Sequence, residues 1–139
     1  MSEKLSLWFW EDQKTMREPK VFMKDVIVDR KSKYSVTAWL VRSQEEVENF
    51  IKELLCDNYF QKATHNSFAY RVQLENGAIL ESRQDDWESW AGNCILRELQ
   101  RENIIDSIII VTRYFGWVHL QNDRFKHVID ATKMILEKL

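Results

Sequence analysis

Glycine and proline are scarce in this 139-residue chain, which holds three glycines and one proline. That shortage argues against long loops and flexible linkers. Cysteine is scarce too. Cys56 and Cys94 show no metal-ligand spacing and make no disulfide framework. Cys94 falls where a helix points inward and reads as a buried structural thiol. The basic excess of a nucleic-acid binder is missing, because the formal net charge is −2 and the pI about 5.9. RNA would therefore need a local patch. No apolar run approaches the roughly 20 residues of a membrane helix. The start, MSEKLSLWFWEDQK, lacks the long apolar region and cleavage site of a signal peptide. A cytoplasmic protein without a membrane partner is the expectation.

What is present is a globular balance, 45% hydrophobic and 30% charged. The length is that of one domain, able to bury roughly two-thirds of its unfolded surface without a staple. We expect a single domain over residues 1–139, with residues 1–19 as an N-terminal arm. In that arm Leu7, Trp8, Phe9 and Trp10 form an aromatic knot before Pro19. It either packs on the domain or meets a partner.

Periodicity places the elements. KVFMKDVIVDR alternates, with a slip in its middle, and KYSVTAWLV is rich in β-branched and aromatic residues; both read as strands. Ser43 with Glu46 is a capping box ahead of a helix whose apolar face is Val47, Phe50, Ile51, Leu54 and Leu55. HNSFAYRVQL and AILESRQ flank ENG, a hairpin signal with Gly77 at the turn. Ala91, Cys94, Ile95 and Leu99 share a helical face, and Asp85 with Glu88 has the spacing of a capping pair before it. Ile108 to Val111 is apolar without alternation, the mark of a central strand covered on both sides or lying deep under helices. Phe125, Val128, Ile129, Thr132, Ile135, Leu136 and Leu139 trace a final helix, capped by Asn122 or Gln121. The order ββαββαβα predicts an α+β two-layer sandwich, a mixed sheet with helices on one face.

Three segments hold the residues that could carry chemistry. His65 and Asn66 open a strand, with Tyr70 and Arg71 further along it on opposite faces. Asp85, Asp86 and Glu88 are three carboxylates within four residues. They suit a divalent metal or an acid–base pair, but helix capping explains at least two of them, and we expect no metal. Arg113 and Tyr114 stand at the carboxyl end of the central strand, where sheets often place ligand contacts. The last helix begins with Asp123, Arg124, Lys126 and His127. A helix start with these cations suits a phosphate, yet Asp123 would repel an anion there. No nucleophile elbow, phosphate loop, zinc spacing or dinucleotide fingerprint occurs.

Taken together, KATHNSFAYR, DDWESWAG and VTRYFGWVHLQNDRFKHV resemble, in order and spacing, the IMPACT family, a YigZ-related ancient domain. The resemblance runs from about Lys31 to the C-terminus, and DRFKH matches the eukaryotic branch. It implies the fold of the second domain of ribosomal protein S5. It also implies a non-enzymatic regulator of translation that uses no cofactor. Such proteins bind the co-activator of the starvation-sensing initiation-factor kinase and restrain that kinase, with actin as a further partner. The alternative is an RNA- or ribosome-binding domain, using Arg71, Arg113, Arg124, Lys126 and His127. Eukaryotic members carry an additional N-terminal RWD domain, for which this length leaves no room; its contacts to the co-activator are expected to be missing.

By the same resemblance the motif residues form a shared partner-binding surface: His65, Asn66, Arg71, Asp85, Asp86, Trp87, Glu88, Arg113, Tyr114, Trp117, Asp123, Arg124 and His127, with Tyr70, Gly92 and Gly116 beside them. Two of them depart from the family pattern. Trp87 replaces the glycine of DDGE, and Trp117 replaces the second glycine of a GG pair. Either those glycines served a close approach or both loops are rebuilt. The indoles, with Trp90, either make an aromatic patch for a protein partner or plug a groove no longer used. Gln121-Asn122 replaces Gly-Pro, which predicts a side-chain cap for the last helix.

Overall fold

The computed structural model describes residues 13–139; the aromatic knot Leu7 to Trp10 lies outside them. Five strands form one sheet: β1 Lys20–Asp29, β2 Ser32–Leu40, β3 His65–Gln73, β4 Ile79–Gln84 and β5 Ser107–Tyr114. Helices α1 Gln44–Cys56, the short α2 Asn58–Gln61, α3 Ala91–Arg101 and α4 Asp123–Leu136 complete the chain. The spatial order is β1-β2-β5-β3-β4. The α+β class is as expected, but two finer points differ. Every strand pair is antiparallel, so the sheet is not mixed. The helices cover both faces.

Alternation along β5 accounts for the second correction. Ile109 and Val111 join Tyr34, Val36 and Ala38 under α3 and α4, among Ile95, Leu99, Val128 and Ile135. Ile108 and Ile110 point the other way, into a second cluster with Val47, Phe50 and Leu54 of α1 and Phe60 of α2. A central strand with two apolar faces needs a cover on each. The apolar run from Ile108 to Val111 carried that information.

Local chemistry sets the joints. Ser43 caps α1, its hydroxyl accepting the Glu46 N–H at 3.1 Å, while the Glu46 carboxylate accepts the Arg42 N–H. The β3–β4 hairpin turns at Gly77 with φ +85°. The slip expected in β1 is a bulge between Met23 and Ile27, where Asp25 has φ +50° and donates its N–H to Ser35 Oγ. Cys94 is half-buried, packed on the first cluster, and burial pushes its thiol up. Ahead of β1, Lys14 bridges to Ile104, and Met16 is buried in the core.

The β1–β2 turn was not signalled by its residues. Arg30 and Lys31 form a two-residue loop with φ +45° and +70°, the primed type that twisted hairpins favour. Neither is Gly, Asn or Asp. Contacts from elsewhere hold the turn. Asp29 accepts from Arg30, whose guanidinium also reaches Asp123 at the start of α4. Gly116 lies against the turn so closely that a Cβ there would come within 2.2 Å of the Lys31 carbonyl carbon. The start of α4 corrects another expectation: Asn122 is the N-cap residue but makes no side-chain cap bond. Its backbone is helical, with φ −72° and ψ −15°, not the extended form a capping side chain uses.

Candidate functional site

Three connections meet at one end of the sheet: the β1–β2 turn, the β4–α3 loop and the β5–α4 loop. The antiparallel register causes this, since His65 at the start of β3 faces Arg113 at the end of β5. Most of the motif residues become internal ties there. Asp86 accepts the Asn66 N–H on Oδ2 at 2.6 Å, and its carbonyl accepts from His65 Nδ1 at 2.8 Å. A carbonyl only accepts, so Nδ1 carries the proton. The Asp85 carbonyl accepts the Ser67 hydroxyl. The Asn66 side chain joins Thr112 of β5 to the Phe60 carbonyl of α2, both at 2.8 Å.

The three carboxylates do not converge. Asp85 reaches forward to accept the N–H of Trp90 and of Gly92, at 3.2 and 2.8 Å, and so caps α3 from outside the helix. Asp86 serves β3. Glu88, expected to pair with Asp85 in a capping box, turns inward instead and is 3% exposed. Arg113 Nη1 donates to both its oxygens, at 2.8 and 2.9 Å, and Arg113 is itself 5% exposed. His65 Nε2 stands 3.6 Å from Glu88, too far for a hydrogen bond. Arg113 lies between the rings of Tyr34 and Phe115, 5.5 Å from each centroid, and also donates to Ser32. Among the described residues no group of three His, Cys, Asp or Glu is placed to hold a metal.

Other predicted members lie elsewhere. Arg71 is at the far end of β3, bonded to Glu81 and to the carbonyl of Ile104 at 3.1 Å, where it ties down the chain after α3. Tyr70 points to the opposite face and donates to Gln44. Tyr114 also faces away from Arg113 and donates to the Tyr59 carbonyl. His127 Nε2 meets Asp29 at 2.7 Å, and its ring packs at a tilt against Tyr34. Asp29 is bonded by Arg30 first and His127 second, which lowers its carboxyl to about 2.

The tryptophans are the opposite of plugs. Trp87 is 93% exposed, Trp117 88% and Trp90 62%. Trp117 adjoins a small cluster of tilted rings, its ring 5.5 Å from Phe115, which in turn lies 5.4 Å from His119. The backbone at Trp87, Trp90 and Trp117 has φ +67°, +69° and +68°. Both indoles of the two substituted positions thus stand in the left-handed conformation that a glycine adopts without strain. Trp90 at φ +69° carried no sequence signal, since its strain is invisible until the Asp85 side chain is seen holding its N–H.

The fold and this joined end define an α+β domain whose loops are tied by buried polar bonds beneath an aromatic rim. Residues 30–136 match the model of the Impact N-terminal domain, and the chain belongs to that family. It is 36% identical over 118 residues to the IMPACT homolog of Dictyostelium discoideum, covering 85% of this chain and 34% of that protein. To the Schizosaccharomyces pombe homolog it is 39% identical over 107 residues, covering 77% and 38%. The chain thus spans about a third of the length of these curated relatives. Among solved structures, the two-domain translational regulator Yih1 superposes with a TM-score of 0.59 at 27% identity, covering 91% of this chain and 50% of Yih1. A hypothetical protein of 20% identity gives 0.75, over 86% of this chain and 58% of its own, which speaks for the fold alone. No helix among the described residues is long and apolar enough to cross a membrane.

Proposed function

We propose that this domain regulates translation by binding a protein partner through the aromatic rim of Trp87, Trp90 and Trp117. The observation that carries the reading is their combination of exposure and strain. A soluble surface gains nothing from an indole almost wholly in water, and a left-handed backbone makes a tryptophan there cost about 1–2 kcal/mol more than a glycine. Large rigid rings are what protein interfaces bury at their centres. Membership in the Impact N-terminal domain family and the likeness to the regulator Yih1 support the setting in translation. The partner class follows from the resemblance: the co-activator of the starvation-sensing initiation-factor kinase, with actin second. No step of this reading is catalytic.

The test is binding of the purified chain to the purified co-activator, followed by calorimetry. Trp87→Ala and Trp117→Ala should each weaken binding at least tenfold, as central aromatic anchors do. No affinity in the unaltered chain would exclude the co-activator, and undiminished affinity in both variants would exclude the rim. The RNA reading gains less from the geometry. Of its five residues, Arg71, Arg113 and His127 are already bonded to Glu81, Glu88 and Asp29. Only Arg124 and Lys126 remain of that set, too few for a phosphate-tracking surface.

A further inference from the structure

The α1 side of the sheet holds a hole that the fold leaves unfilled. Ile51, Leu54 and Leu55 of α1, with Phe68 of β3 and Ile110 of β5, line a pocket of about 310 Å³. Leu55 is 43% exposed there. Gathered apolar surface open to water marks a contact site. The wall is not wholly apolar, because Gln84 and Asp86 bring oxygen acceptors to it. A hole of this make-up suits a large apolar group that carries a single donor. Among side chains that is the indole of tryptophan, whose ring is apolar and whose N–H only donates.

Such an indole stands beside the hole. Trp87 directly follows Asp86 of the pocket wall and is 93% exposed, so it does not fill the pocket of its own chain. Both its neighbours are pinned. Asp86 accepts the Asn66 N–H and the His65 ring N–H, and Glu88 is buried against Arg113. The indole is therefore presented outward from a fixed backbone, and a group already held in place loses little freedom when it docks. Knob and hole are adjacent on one surface. A two-fold axis passing beside Asp86 makes insertion between two chains reciprocal, and the assembly closes at two copies. Trp117 belongs to another loop, where its ring lies against Phe115.

We propose that two copies of this chain associate by inserting Trp87 of each into the pocket between α1 and β3 of the other. This goes beyond the co-activator reading and adds a competition to it, since a dimer covers Trp87 and withdraws part of the rim from a protein partner. The experiment uses the purified chain alone, so its failure leaves the rim reading standing. Sedimentation equilibrium from about 10 μM to 1 mM spans the weak affinities that a small interface supports. A monomer–dimer equilibrium is expected. Trp87→Ala and Leu55→Glu should each weaken it at least tenfold, one by removing the knob and the other by blocking the hole with the indole still in place. Both residues are exposed, so neither change empties the core. Trp87→Ala keeps its hole and Leu55→Glu keeps its knob. An equimolar mixture of the two restores one of the two contacts and should associate more tightly than either variant alone. Trp117→Ala should stay within about twofold of the parent, as an independent site does. A parent that remains monomeric throughout, a Trp87→Ala variant that dimerises like the parent, a mixture no tighter than its components, or a Trp117→Ala variant as weak as Trp87→Ala would each overturn the proposal.

Discussion

Trp87 and Glu88 are neighbours in sequence and occupy opposite environments: the indole stands in water at 93% exposure, and the carboxylate is sealed in at 3%. The same inversion separates Arg113, which is buried, from Trp117 a few residues later, which is exposed. Ordinary burial preferences run the other way, with Arg and Glu outside and large aromatics mostly inside. The charged residues tolerate the interior here because they are paired. Arg113 meets Glu88 and Ser32, and the half-buried Asp86 carboxylate meets the backbone N–H of Asn66. The tryptophans meet almost nothing. What looks in sequence like one motif surface is thus two regions, an internal knot that fixes three loops and a rim that those loops hold outward.

The largest effect should come from opening the knot. Glu88→Gln leaves Arg113 buried without its counter-charge, and losing one member of a buried ion pair costs about 3–5 kcal/mol. Urea unfolding should show that loss. Replacing both partners, Glu88→Leu with Arg113→Met, should be milder than Glu88→Gln alone, because an apolar pair leaves no unpaired charge. A double variant as unstable as the sum of its singles would mean the ion pair does not act as a unit.

Changes at the rim should be smaller and of the opposite sign. Trp87→Gly and Trp117→Gly each remove a left-handed backbone strain of about 1–2 kcal/mol, against an unfolded-state entropy cost of about 0.5–1 kcal/mol for glycine. Little burial is lost, since both indoles are exposed. Stability should hold or rise by up to ~1 kcal/mol by urea unfolding, while partner affinity falls. A destabilisation of more than ~1 kcal/mol would show that the indoles support the fold.

The elements were readable because local signals and tertiary demands agree in them. The capping box at Ser43 and Glu46, the turn at Gly77, the bulge in β1 and the stripe of α4 all rest on neighbours in sequence. The second helical layer was also present, in the unalternating run from Ile108 to Val111, though the order of elements alone argued for one layer. What stayed hidden depends on distant partners. Nothing near Glu88 announces that Arg113, 25 residues on, will neutralise it in the core. Nothing in Arg30-Lys31 announces a primed turn, because Gly116 and Asp123 enforce it from another loop. Arg71 looked like a member of the site because it shares β3 with His65, but the strand's length puts it at the other end, against the chain after α3.

The smallest expected effect lies where knot and rim meet, in the half-exposed contacts of Asp29 with Arg30 and His127. These lower the Asp29 carboxyl from its ordinary 3.8 to about 2 in the folded chain. A depressed carboxyl binds its proton more readily when the chain unfolds. Its contribution to stability is therefore present in full above the unfolded value and disappears as pH falls through about 2. Melting temperatures measured from pH 5 down to 2 should fall less steeply for Asp29→Asn than for the parent, the difference being confined to that window. Solvent screening keeps the effect below that of Glu88→Gln, whose loss should persist at neutral pH. Parallel melting curves for parent and Asp29→Asn would show that the turn is held by Gly116 and the backbone, and that the ion pairs around it only decorate the surface.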